Sequence, residues 1–237
     1  MGIQHLDVSK GGYSRVTFSK NLAFFTGHAA PQYQTLKEQA EGILKRYDEL
    51  FAQFGLKKSN ILYTTCFMKN ADDEDEFADI YFQWIDPKNP PAGVTVTGLP
   101  IQHSPVGDNI LMELSFIVAT NDSLPIKRYD VTRGCRMVEY DGMAYFTGHV
   151  YPKVDTLGEQ VAGVLNRYAE LFEQFGYKKE NILMEYGYVR DIEQVNDYLG
   201  ARKVFIDPEN PPAGVVVQAK PSGDENQLEV QFIVNLD

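Results

Sequence analysis

Glu113 and Glu229 each stand in a mostly apolar, β-prone run, 111–118 and 227–234. A carboxylate there is costly to bury without partners, so its appearance in two such runs points to a task. The chemistry open to it is general acid–base work, such as taking a proton from an attacking water. A hydrogen-bonded structural carboxylate is the alternative. Glu113 alternates with Met112, and Glu229 with Leu228, so both carboxylates aim at corresponding faces. His28 follows Thr26-Gly27, and His149 follows Thr147-Gly148. Each histidine is a candidate acid or base, a pocket-lining hydrogen bonder or a plain turn residue. The two threonines present hydroxyls, although a threonine beside glycine in a strand also serves packing. Arg15 and Arg136 recur at the same spacing on strands near these residues, and alternation leaves their direction open.

Other chemistries lack their residues. Four histidines form no ligand-spaced cluster, so no metal is expected. Cys66 reads as a small buried hydrophobe, and Cys135 has no His-Asp relay around it. The two cysteines are not equivalent in the repeat, which argues against a repeated disulfide or thiolate site and fits a reducing cytoplasm. Gly11-Gly12 is too short for a phosphate-binding loop, and no cofactor is expected. A formal charge of -11 without a basic stripe opposes nucleic-acid binding. No window approaches 18 apolar residues, and the opening residues 1–7 have neither the basic nor the apolar region of a signal peptide. The expected location is the cytoplasm.

The elements that must position the candidates occur twice. Phe24-Phe25-Thr26-Gly27-His28 returns as Tyr145-Phe146-Thr147-Gly148-His149, and a spacing of 121 holds through Asn89-Pro90-Pro91-Ala92-Gly93 and Asn210-Pro211-Pro212-Ala213-Gly214. The last strand returns at 116, so the loop before it is five residues shorter in the second copy. Aromatics, glycines and prolines in fixed order over roughly a hundred positions mark a duplicated domain. In copy one a hairpin over 13–26 leads to a helix opened by Thr35 and Glu38 as a capping box. Leu36, Ala40, Ile43, Leu44, Tyr47, Phe51 and Phe54 mark its apolar face, and Gly55 sits at a left-handed C-terminal position. The run 61–68 is a strand, Asn70 or Asp72 caps a second helix, and Asp86-Pro87 stops it. Strands at 94–97 and 111–118 follow, giving ββ-α-β-α-ββ per unit. The polar segment 120–127 reads as a connection.

These pieces, with Gly12-Tyr13-Ser14-Arg15 and Leu111-Met112-Glu113-Leu114, resemble the YjgF/YER057c/UK114 family, the reactive-intermediate (RidA-like) deaminases, in each copy. The resemblance implies a chorismate-mutase-like trimer, with sheets forming an inner barrel and ligand clefts at subunit interfaces. It also implies cofactor-free hydrolysis of enamines and imines. Family deaminases place a glutamate on the last strand to position water, and Glu113 and Glu229 match it. Gly27 and Gly148 match the pocket glycine. Tyr13 matches a pocket tyrosine, and Cys135 is expected in its place in copy two, one position beyond the Gly134 that the 121 spacing sets there. The family arginine that follows Pro-Ala and holds the substrate carboxylate has no match, because Gly93 and Gly214 stand there. A guanidinium grips a carboxylate in a planar, bidentate way that glycine does not reproduce. The expected ligand is therefore neutral or cationic.

The sequence thus leads to an α+β fold, two tandem domains at 1–124 and 125–237, each a mixed sheet covered on one face by two helices. The free sheet face is expected to meet another copy of the domain, in a homo-oligomer built as a trimer of two-domain chains. Two functions stand: a hydrolytic deaminase working through Glu113 and Glu229 on a small molecule, or a binding or structural relative that kept the clefts and lost the chemistry.

Overall fold

The computed structural model describes residues 2–8, 14–98 and 109–237. By contact the chain divides into two compact units, 1–141 and 142–237. Unit one contains β1 (Gln4–Val8), β2 (Ser14–Ser19), β3 (Leu22–His28), α1 (Leu36–Phe54), β4 (Ile61–Met68), α2 (Glu74–Trp84), β5 (Ala92–Thr97) and β6 (Met112–Ala119). A small antiparallel hairpin, β7 (Lys127–Tyr129) and β8 (Met137–Tyr140), completes it. Unit two contains β9 (Met143–Phe146), α3 (Leu157–Phe175), β10 (Ile182–Val189), α4 (Val195–Ala201), β11 (Ala213–Gln218) and β12 (Leu228–Asn235).

The sheet of unit one has the order β1-β2-β3-β6-β4-β5, parallel only between β4 and β5. The second sheet has the order β11-β10-β12-β9-β8-β7, which repeats β5-β4-β6-β3-β2-β1, again parallel only between β10 and β11. The expected mixed-sheet α+β domain with helices on one face is therefore present in both.

Residue chemistry explains the long helices. Thr35 accepts the Glu38 N–H while the Glu38 carboxylate takes the Thr35 N–H, so the capping box is closed. Gly55 ends α1 with φ 68°, and Gly176 ends α3 with φ 71°, a backbone that any side chain would strain. The buried stripe of α1 packs with Val16, Phe25, Cys66, Met68, Leu114 and Phe116 from the sheet. Alternation along β4 thus sends Cys66 and Met68 toward the helices, and Tyr63, Thr65 and Phe67 to the other face.

Three details depart from the sequence reading. β1 and β7 lie in stretches without an alternating apolar signal, because an edge strand needs only one pairing partner. The N-cap of α2 is Asp73, with no side-chain cap, rather than Asn70 or Asp72. A 3₁₀ turn over Ala71–Asp73 absorbs those residues, and Asn70 Nδ2 donates to Asp73 Oδ2 at 3.0 Å. Finally, α4 is shorter than α2 and passes into a 3₁₀ turn over Arg202–Val204. Gly200 next to its end weakens the helix there.

Candidate functional site

The Thr-Gly-His segment is a β-bulge. Phe25 pairs with Phe116, yet His28 pairs with Leu114, so three steps on β3 oppose two on β6. In unit two Tyr145 pairs with Ile233 and His149 with Val230, the same one-residue excess. A bulge re-aims the backbone beside it. Here it brings Gly27 under the Glu113 side chain and Gly148 under Glu229. A Cβ on either glycine would collide with the carboxylate oxygen Oε1 of its glutamate. Glycine is thus demanded by close approach, and the contact is repeated in both units.

A tyrosine from the long helix locks each bulge. Tyr47 OH lies 2.7 Å from Leu114 O and 3.1 Å from Thr26 O. Tyr168 OH lies 2.9 Å from Val230 O and 3.4 Å from Thr147 O. Burial first, and the nearby Glu113 or Glu229 charge second, push both phenols well above their usual range. They are fixed donors. The histidine rings pack on these tyrosines, with centroids 4.8 Å apart for His28 and Tyr47 and 4.5 Å for His149 and Tyr168.

The two glutamates differ in setting. Glu113 pairs across β4 with Phe67, on the sheet face away from the helices, and is half-buried. Burial raises its carboxyl above the ordinary glutamate value. Glu229 is only 5% exposed, and its Oε2 accepts the Ser222 N–H at 3.3 Å.

Other residues singled out from sequence lie elsewhere. Gly93 pairs with Thr64, and a Cβ there would come within 2.5 Å of Thr64 O and 3.1 Å of Thr64 Cβ. Thr64 Oγ1 is 2.7 Å from Tyr81 OH on α2, so Gly93 is on the helix face, across the sheet from Glu113. Gly214 is likewise on the helix face, beside Glu185, which bonds Tyr198 OH at 2.5 Å and the Arg202 guanidinium. Gly93 does not adjoin Glu113, and Gly214 does not adjoin Glu229. Arg15 is half-buried on β2, alternating with the core residue Val16 and so sharing the face of Glu113. Arg136 forms an ion pair with Asp130 at 3.1 Å. Cys135 is buried, donates to Pro90 O at 3.2 Å, and has its thiol pushed up to about 12 by burial. Cys66 is buried too, with its thiol well above the usual range for the same reason. Tyr13 lies outside the described residues. Among those described, no three His, Cys, Asp or Glu side chains gather as a metal site. No helix is long and apolar enough to cross a membrane.

Two residues important to the site escape a reading of single positions. Gln39 and Gln160, both fully buried in the long helices, tie down the segments flanking the bulge. Gln39 Nε2 donates to Tyr33 O (3.0 Å) and Asn109 O (2.7 Å), and its Oε1 accepts from Leu111 N (3.0 Å). Gln160 does the same with Val154 O (2.8 Å), Glu225 O (3.0 Å) and Gln227 N (2.7 Å). Their signal was a polar residue kept at the 121 spacing next to the apolar stripe.

Residues 4–119 match the family described as Endoribonuclease L-PSP. No curated protein matches the sequence. Among solved structures, a YjgF-family protein from Neisseria meningitidis is 23% identical, covering 48% of this chain and 96% of its own, with a TM-score of 0.46. A Rid-family protein from Yersinia pestis is 22% identical over 50% of this chain and 99% of its own, with a TM-score of 0.44. A chorismatase, 14% identical, covers 96% of this chain and 78% of its own with a TM-score of 0.64. That last likeness spans both units and is one of fold.

Proposed function

We propose, from the premise that this chain is a distant relative of the YjgF/UK114 (RidA-like) family with two such domains in tandem, that it is a cofactor-free hydrolytic deaminase. Its substrate is an enamine or imine that need not carry a carboxylate. The observation that carries the reading is the glutamate pressed against a bulge glycine, built twice from separate stretches of chain. A carboxyl whose burial keeps its proton to higher pH, as at Glu113, suits delivery of that proton to an enamine carbon. The resulting iminium takes water at carbon, aided by the carboxylate now formed. The C–N bond of the adduct then breaks, releasing ammonia and a carbonyl compound. Backbone groups at Gly27 and Gly148, with Thr26, His28, Thr147 and His149 nearby, line the ligand's path.

Gly93 and Gly214 lie on the helix face and supply nothing to Glu113 or Glu229, so the reading asks for no carboxylate on the substrate and covers neutral or cationic imines. Three chains supplying six domains form the assembly, and the cytoplasm is its place of work. The name of the matched family points to RNA, but a formal charge of -11 repels a phosphate backbone. A second reading, a binding member without turnover, is favoured by the 5% exposure of Glu229.

The test is ammonia release from 2-iminobutyrate and from uncharged imines, with chorismate added to the panel because of the chorismatase fold. Deamination of uncharged imines, lost in Glu113→Gln with Glu229→Gln, supports the proposal. A pure protein that turns over no imine yet retains a small ligand overturns it in favour of the second reading.

A further inference from the structure

The loop between β11 and β12 closes on Glu229, and one side chain from the end of β10 holds it there. Arg190 Nε donates to Asn226 O at 2.9 Å, and Nη2 donates to Gly223 O at 3.2 Å and Asp224 O at 2.9 Å. The Arg190 backbone N–H reaches Gln227 O at 2.8 Å. Gly223 takes φ 82° so that the chain can turn inside this grip. Within the loop, Asn226 Nδ2 donates to Ser222 O. The outcome is a Ser222 N–H set 3.3 Å from Glu229 Oε2, while Oε1 lies against Gly148.

The corresponding residue of the first unit is Lys69, whose backbone N–H makes the equivalent bond to Leu111 O at 2.9 Å. An ammonium is a compact point charge. A guanidinium is a planar fork able to engage several carbonyls in one orientation. The two units therefore keep the same backbone contact but differ in the side chain available to fix the loop.

We propose that Arg190 is a positioning residue for Glu229: it fixes the 219–227 loop so that the Ser222 N–H stays on the carboxylate. An N–H donated to a carboxylate favours its charged form, so at Glu229 the loop contact acts against the effect of burial. This rests on the deaminase reading for what the carboxylate does, and not for the contact itself. Tyr168 from α3 and Tyr188 from β10 feel the Glu229 charge, His149 is on the bulge, and the loop carries Lys220, Asp224 and Glu225 with Arg190 holding it.

The deciding experiment follows the carboxyl carbons of Glu113 and Glu229 by NMR titration in the full chain, assigned with Glu113→Gln and Glu229→Gln. The variants are Arg190→Ala, Arg190→Lys and Ser222→Ala. In Arg190→Ala the Glu229 midpoint rises by about one pH unit, since one hydrogen bond to the charged form is lost, while Glu113 stays put. Arg190→Lys, the variant that keeps the charge and is least disruptive to folding, recovers only part of the shift. Ser222→Ala retains the backbone N–H and shifts nothing. A Glu229 midpoint unmoved in both Arg190 variants, or matched by an equal movement of Glu113, overturns the proposal. Absence of imine turnover in the parent protein refutes the deaminase reading and leaves this titration intact.

Discussion

At the scale of single residues, the account turns on two glutamates and the glycines beneath them. Gly27→Ala and Gly148→Ala place a methyl where each carboxylate now lies. Overpacking of this kind costs about 1–3 kcal/mol, and the carboxylate must swing away from the bulge. Either variant is expected to lose turnover by more than its loss of stability explains, measured as kcat on folded protein beside thermal unfolding. The raised carboxyl of Glu113 makes a second prediction. Burial lifts its folded value above the unfolded one, so its stabilising share is present below the unfolded value and lost as pH rises through the folded value. Glu113→Gln, which stays neutral, should match the parent at low pH and exceed it in thermal stability above that window. The sequence already marked both glutamates, because a charge recurring within an apolar strand is costly. It did not reveal that Gly93 and Gly214 face the helices rather than Glu113 and Glu229. That depended on the register Thr64–Gly93 and Glu185–Gly214, which strand pairing sets and spacing alone does not.

At the scale of elements, the long helices were legible because propensity, caps and periodicity agreed. Thr35 with Glu38, the seven-residue stripe and Gly55 each named the same boundaries. Thr35→Ala removes the box and should cost about 1 kcal/mol, read from denaturant unfolding. The buried glutamines are a sharper case. Gln39→Leu strands Asn109 O and Leu111 N, with Tyr33 O still held by Asn109 Nδ2, and Gln160→Leu strands Val154 O, Glu225 O and Gln227 N, each a loss of about 2–4 kcal/mol by the same measurement. An equal, small effect of both would mean that water satisfies those groups. The edge strands β1 and β7 were not legible, and neither was the 3₁₀ turn before α2. Short edge strands carry little apolar alternation, and a run of acidic residues suits a 3₁₀ turn as well as a helix start.

At the scale of the whole molecule, the repeat and the compact units divide the chain at different places. The sequence repeat begins anew after 124, whereas compactness divides the chain at 141/142. The hairpin between them is bound to unit one through Arg128, which donates to Ser59 O (2.7 Å), Ile61 O (3.1 Å) and Pro90 O (3.0 Å). A fragment 1–141 should therefore unfold at a higher temperature than 1–124, and Arg128→Ala should erase most of that gain. Duplication was plain from residue order, and β7-β8 stand in the second sheet where β1-β2 stand in the first; the Arg128 contacts were not legible, since Arg128 has no arginine partner at the 121 spacing. In the proposed reaction the twin glutamates do acid–base work on a carbon–nitrogen bond. Its most direct test is the rate of ammonia release from an uncharged imine by the parent chain and by Glu113→Gln with Glu229→Gln combined. Turnover by the parent is expected, with a fall of about 100-fold or more in the folded double variant. Equal rates in the two proteins would contradict it.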